Sequence, residues 1–508
     1  MEFTVFASFP MFLLLVLVLV FLYIKRTQNY WKRKGVPQLE PNMLFGDIKP
    51  IATGMESQAC FFAKMYLKAK SQGLKGIGIY AGWTPFYIPT NVELIKRIMV
   101  KDFNSFRARG MYYHDKDLLT MNVFFVGGAQ WKKQRTKMTP IFTSGKLKQM
   151  FDIIKQKGEK MSRIVQEDID LDRLIDIKDL AARYTTDAIA EVAFGLDSNT
   201  LQHPQHQLRE IGRSLLKPYL WKRSVELMLS HDFLGKFGHR TFPSDVYEYF
   251  QALIRSSIEY RKKTGLCRVD FLQLLMQLKD GLLPDKSKSP NDQKSSIFSE
   301  TEVLSNAFII YAAGYETSSG TTCFAMYELA SNPEIQEKLR EEILDSLKKN
   351  DNQVTYESIS EMQYLDKVFK ETLRKYPVLS TITRGCTEDY VIDSTVTLKK
   401  GTQLLIPTTG LHWDPEFYPN PEQFNPENFS PESIASRPEN AYIPFGDGPR
   451  LCLGMRLGVL QTKLALILLL KDFRFTLHEN SKKHHLEFAR GMFLTSFKDP
   501  VMMKATKI

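Results

Sequence analysis

The chain opens on an uncharged apolar run from Val5 to Ile24, followed by Lys25, Arg26, Lys32, Arg33 and Lys34. Twenty helical residues rise about 30 Å, the hydrocarbon thickness of a bilayer, so the run predicts a membrane-spanning helix. No basic residue precedes it and Glu2 does, which leaves the basic flank, and everything after it, on the cytosolic side. A cleaved signal peptide would show a basic start, a shorter apolar core and a small-residue cleavage site instead. Gly35, Pro37 and Pro41 predict a stiff exit from the membrane.

Beyond the exit, Ile77 to Tyr80 and Phe86 to Ile88 flank Ala81-Gly82-Trp83-Thr84-Pro85 as a short hairpin. Helical periodicity dominates from about 91 to 280, and the polar stretch from Pro284 to Ser296 predicts a mobile surface loop. Ser299 and Glu302 then form a capping-box signature, and no proline interrupts until Pro333. One helix of about 50 Å is expected there. Its middle is unusual, because Gly314 and Glu316-Thr317-Ser318-Ser319-Gly320 follow an apolar run from Phe308 to Ala313. Glycine weakens a helix interior by about 1 kcal/mol, and a kink bridged by the Thr317 hydroxyl is one reading of the segment. Met455 to Leu470 predicts a further, strongly apolar helix.

Composition adds that this is one large unit. The 508 residues carry no internal repeat and no long linker, which predicts an anchor over 1–24, a basic, proline-containing hinge over 25–41 and a single, mainly helical domain over 42–508 with a smaller β-rich region. Cys60, Cys267, Cys323, Cys386 and Cys452 are scattered and odd in number, an argument against a disulfide framework and for a reducing compartment. The net charge of +11 is spread along the chain, and no nucleic-acid-binding module accompanies it. The densest basic segment, Trp131-Lys132-Lys133-Gln134-Arg135-Thr136-Lys137, lies on a helix, where a solvated face explains Lys132 and Lys133 as readily as a docking surface does.

Candidate chemistry centres on Phe445-Gly446-Asp447-Gly448-Pro449-Arg450-Leu451-Cys452-Leu453-Gly454. One cysteine sits on a glycine-rich turn before an apolar helix, where exposed N–H groups and the helix dipole favour an anionic sulfur. Gly454 lets a flat ligand come close, and Arg450 can pair with a carboxylate of that ligand. A lone cysteine of this kind is more often a buried structural thiol. Glu371 and Arg374, at i and i+3, share a helix face and can pair, a pattern common on surfaces.

Phe445, Gly448, Arg450, Cys452 and Gly454 resemble the FxxGxRxCxG loop of the cytochrome P450 family. Further resemblances follow in the family's order: Trp131 and Arg135 (WxxxR), Ala313-Gly314-Tyr315-Glu316-Thr317 ([AG]Gx[DE]T), Glu371-Thr372-Leu373-Arg374 (ExxR) and Arg384. The likeness covers nearly the whole chain. It implies the cytochrome P450 fold and haem b, with Cys452 as the proximal thiolate ligand. It also implies Trp131, Arg135, Arg384 and Arg450 around the propionates, Phe445 and Gly454 against the ring, Glu316 and Thr317 relaying protons to bound dioxygen, and Glu371–Arg374 as a buried structural pair. The family's PERF reads Pro426-Glu427-Asn428-Phe429 here, so Asn428 stands where an arginine is usual.

The segments Phe106-Arg107-Ala108-Arg109-Gly110 and Pro140-Ile141-Phe142-Thr143-Ser144-Gly145-Lys146 are similar to those of insect microsomal, xenobiotic-metabolising members. That similarity implies a monooxygenase of the endoplasmic reticulum membrane. Electrons would come from NADPH through a reductase, with cytochrome b5 as a second possible donor, and one oxygen atom would enter a lipophilic substrate. An apolar pocket is expected from Phe124, Phe308, Ala312, Ala313, Leu379, Ile382 and Leu494. Alternatives are a hydroxylase of endogenous lipids, fatty acids or hormones, and, in other classes, a haem-thiolate isomerase or a haem-binding sensor. An isomerase commonly lacks the acid–alcohol pair retained here at Glu316 and Thr317.

Overall fold

The computed structural model describes residues 2–216, 225, 226, 229, 231–282, 298–481 and 487–508. The expected loop from Pro284 to Ser296 lies outside the described residues. The architecture is mainly helical, with three small sheets.

The apolar start forms one helix, α1 (Glu2–Gln28), and its side chains from Met11 to Tyr23 are exposed. A helix of this length and composition can cross a membrane. Its last turn behaves differently. Ile24 is buried, and Gln28 Nε2 donates to the Gly82 and Asn42 carbonyls at 3.0 and 2.9 Å. Trp31, just beyond, is fully buried and lies on strand β1 (Gly76–Ala81). A Cβ added at Gly78 would fall 2.1 Å from the indole, so glycine is what allows the ring to lie flat on the sheet. The Tyr80 hydroxyl accepts from the Trp31 amide at 3.0 Å. The proline-containing exit is thus clamped to the body by side-chain packing as well as stiffened by its prolines.

The expected hairpin is present. β1 pairs antiparallel with β2 (Thr84–Pro89), with Ile77 opposite Ile88 and Ile79 opposite Phe86. The sheet continues through two later strands, β3 (Ile382–Gly385) and β4 (Gln403–Ile406), in the order β1-β2-β4-β3.

The helical region is less regular between 97 and 127, where a π-helical turn (Arg97–Lys101) and short 3₁₀ turns precede α2 (Gly128–Met138). Behind it pack α3 (Ser144–Asp170), α4 (Ile177–Phe194), the long α5 (Glu300–Ser331), α6 (Gln363–Lys375) and α7 (Met455–Leu470). The main hydrophobic core lies among α3, α4, α5 and α7. The capping box that starts α5 is formed: Ser299 Oγ accepts from the Glu302 amide at 3.1 Å, and Glu302 Oε2 accepts from the Ser299 amide at 2.8 Å. Through its middle α5 stays helical without a break. Gly314 serves close packing there, since an added Cβ would meet Ile189 of α4 at 2.6 Å.

Candidate active site

A cavity of about 510 Å³ separates the middle of α5 from the loop before α7. On the loop side, Gly446 and Gly448 have φ of 77° and 66°. A Cβ at Gly448 would lie 2.1 Å from the Met99 carbonyl oxygen, so only glycine fits. The Cys452 amide donates to the Phe445 carbonyl at 3.0 Å, closing the turn. The cysteine lies two residues before the Gly454 N-cap of α7. Although enclosed deep in the protein, its side chain is open to the cavity rather than packed into core. Burial pushes the thiol up, against the Gly454 backbone hydrogen bond and the charges of Arg109 and Arg135. The expected stabilisation of an anion by the helix end is therefore outweighed by desolvation, and a metal cation replacing the proton is what would compensate a thiolate here.

Four arginines converge on the same cavity: Arg109, Arg135, Arg384 and Arg450. Arg450 Nε and Nη2 donate to the Arg107 and Val126 carbonyls, each at 2.9 Å, and its guanidinium lies 4.5 Å from the Trp131 ring centroid. Arg384 Nη1 donates to the Thr383 carbonyl at 2.9 Å, and Arg109 stacks over Phe124 at 4.3 Å. Nη1 of Arg450 and Nε of Arg109 and Arg384 are buried without a hydrogen bond. Burial, then mutual repulsion, drives Arg450 down to about 8 and Arg384 to about 9; burial takes Arg109 to about 10. A guanidinium keeps its proton under ordinary conditions, so these depressions register charge held out of water and, second, close to like charge. A flat dicarboxylate macrocycle such as haem fits this donor set: buried guanidinium N–H groups for two carboxylates, one cysteine for the metal, and apolar walls for the ring. At Gly454 an added Cβ would meet nothing nearer than Phe142 at 3.9 Å, so the backbone there leaves room.

The remaining candidates divide. Phe124, Ala312, Ala313, Leu379, Ile382, Phe445, Gly454 and Leu494 all line the cavity, as do Trp131 and Arg135. Phe308 does not. It is buried behind the wall, 5.0 Å from Phe242 and 5.1 Å from Phe250, and supports the cavity through Phe242. Thr317 lines the cavity, with Oγ1 donating to the Ala313 carbonyl at 2.6 Å. Glu316, one residue earlier, is turned about 100° around the helix and faces a second crevice of about 410 Å³ with Lys178, Asp179 and Arg209. Burial raises its carboxyl to about 7, opposed by Lys178 and by a hydrogen bond from Tyr315. Acid and alcohol are thus neighbours in sequence on different sides of one helix. Sequence reasoning missed Arg109 as a lining residue. Its only signal was membership of Phe106 to Gly110, where Arg107, two positions away, is exposed instead.

Glu371 and Arg374 of α6 are fully buried and paired through two bonds, Nε–Oε2 and Nη2–Oε1, both 2.8 Å. Arg374 also donates to the Pro421 and Gln423 carbonyls at 2.7 and 3.1 Å. Asn428 Nδ2 reaches both Glu371 oxygens at 3.2 and 3.3 Å. It occupies the third position of the cluster as a neutral donor. Lys133 is bound to Glu302 at 2.9 Å, whereas Lys132 is exposed.

A thiol and a cluster of guanidinium groups lining one cavity inside a helical protein define a haem-thiolate class of site. The family model for cytochrome P450 matches residues 37–501. Cytochrome P450 6A1 of Musca domestica is 38% identical over 93% of this chain and 92% of its own length. Probable cytochrome P450 6a23 of Drosophila melanogaster is 37% identical over 97% and 98%, and cytochrome P450 6B2 of Helicoverpa armigera 35% over 94% and 94%. The chain belongs to the cytochrome P450 family: it is a monooxygenase whose cofactor is haem iron.

Proposed function

We propose that this enzyme inserts one oxygen atom from O2 into lipophilic small molecules, xenobiotics such as plant toxins and insecticides foremost, using NADPH-derived electrons delivered by a reductase. The observation that carries the reading is that Cys452 and four arginines line one apolar cavity, three of the four (Arg109, Arg384 and Arg450) with a buried N–H that has no hydrogen bond among the described residues. Haem, when bound, supplies activation of dioxygen. Cys452 would hold the iron through its sulfur, as a thiolate. Arg109, Arg135, Arg384 and Arg450, with Trp131, would hold the carboxylates. Phe124, Ala312, Ala313, Leu379, Ile382 and Leu494 exclude water and place the substrate by apolar contact. Thr317 presents a hydroxyl to the cavity, and Glu316 holds a proton on the other side of α5, exchangeable near neutral pH.

Residues 1–24 act as the anchor and 42–508 as the catalytic domain on the cytosolic face of the endoplasmic reticulum. The exposed run from Met11 to Tyr23 supports this placement. Lys132 is available to an acidic redox partner, the reductase or cytochrome b5, while Lys133 is tied into the α5 cap. The xenobiotic assignment rests on similarity to the insect relatives. Reconstitution with an NADPH-dependent reductase in lipid vesicles and a panel of lipophilic compounds tests it. The reading requires a carbon-monoxide difference band and NADPH-dependent oxygenated products; product formed without reductase would overturn it.

A further inference from the structure

The cavity carries one acidic side chain among its described lining residues, Glu226. It lies on the wall with Leu215, Thr241, Phe242 and Pro243. Glu226 Oε1 is 2.9 Å from His239 Nε2, and the two side chains are 10% and 13% exposed. Oε2 has no hydrogen bond to any described residue. His239 is itself held: its ring meets Tyr112 edge to face at 5.1 Å, and the Tyr112 hydroxyl donates to the His239 carbonyl at 3.2 Å.

Charge separates this wall from the haem cradle. The field of Glu226 falls on Tyr112, Asp117 and His231, whereas the four arginines act on one another and on Cys452. A largely enclosed carboxylate that lines the cavity, with one oxygen steadied by a histidine and the other without a hydrogen bond among the described residues, is a receptor for a cation, because a charge-assisted hydrogen bond strengthens where water is excluded.

We propose that Glu226 is a specificity-determining residue: it captures lipophilic substrates bearing a protonated amine at one end, with the apolar remainder extending along the cavity. Oxidation then falls on the end remote from the nitrogen. His239 is a positioning residue that keeps the carboxylate turned inward. This inference rests on the monooxygenase reading for its chemistry, but its binding step does not.

The test uses the haem-loaded, full-length protein in lipid vesicles and equilibrium dialysis, which needs no turnover. The probes are a protonated dimethyl-(phenylbutyl)amine and its uncharged carbon isostere. Wild-type protein is expected to bind the amine roughly 10-fold or more tightly than the isostere, and Glu226→Gln to weaken the amine roughly 10- to 100-fold while leaving the isostere within about two-fold. A wild-type preference near unity would overturn the proposal whether or not the variant folds. So would a variant that binds both probes as wild type does, or loses both together while keeping its carbon-monoxide band. Absence of NADPH-dependent products, with the binding preference intact, would fall on the monooxygenase reading alone.

Discussion

Charge held away from water is costly, and burial lowers Arg109, Arg384 and Arg450 in turn. Arg384 is fully enclosed and has one hydrogen bond, to its neighbour's carbonyl. In the proposed role, replacing it by alanine would remove a charge-assisted contact to a haem carboxylate, and haem retention is expected to weaken roughly 10- to 100-fold, read as the haem-to-protein absorbance ratio after gel filtration. Glu316 makes the opposite kind of statement. Its carboxyl is raised from 4.5 to about 7, so the folded state binds the extra proton between those values. Stability is therefore highest below about 4.5 as far as this group is concerned, falls as pH rises to about 7, and then levels. Glu316→Gln should flatten that segment of the Tm–pH profile. If Glu316 feeds protons to the distal side, the same substitution also removes a fall in turnover above neutral pH, measured with saturating reductase.

The cysteine that opens on the cavity and the buried pair are legible in the sequence because each sits in a short, ordered motif; which way a side chain turns is not. α5 is buried nearly all round, so no polar stripe marks the strip that faces the cavity, and Phe308, expected in the wall, is core. Glu316 and Thr317 were read together for the same reason. Gly314 illustrates the gap from the other direction: a glycine that reads as a weak point is a contact point between two helices. Gly314→Ala must displace Ile189 Cδ1 or part α4 from α5, and an overpacking loss of about 1–3 kcal/mol in chemical denaturation is expected. On α6, Glu371→Ala strands a buried guanidinium and should cost about 3–5 kcal/mol, with haem-free, aggregated protein as the readout. Asn428→Ala removes only neutral hydrogen bonds, and about 1 kcal/mol is expected by the same denaturation measurement.

For the whole molecule, the apolar N-terminal helix and the catalytic body meet at an interlock, Trp31 lying on Gly78 with Gln28 bonded to Gly82. Trp31→Ala should leave the carbon-monoxide band intact but open the 28–40 segment to limited proteolysis, which wild-type protein resists. The strand that receives Trp31 also contributes Ile79 and Ala81 to the cavity wall, and Phe86 follows from the partner strand. A helix that tilts to match a thicker or thinner bilayer must then carry that wall with it. With α1 in a bilayer, as proposed, lipid thickness becomes an input to the enzyme, because the tilt of that helix is passed to the wall of the cavity.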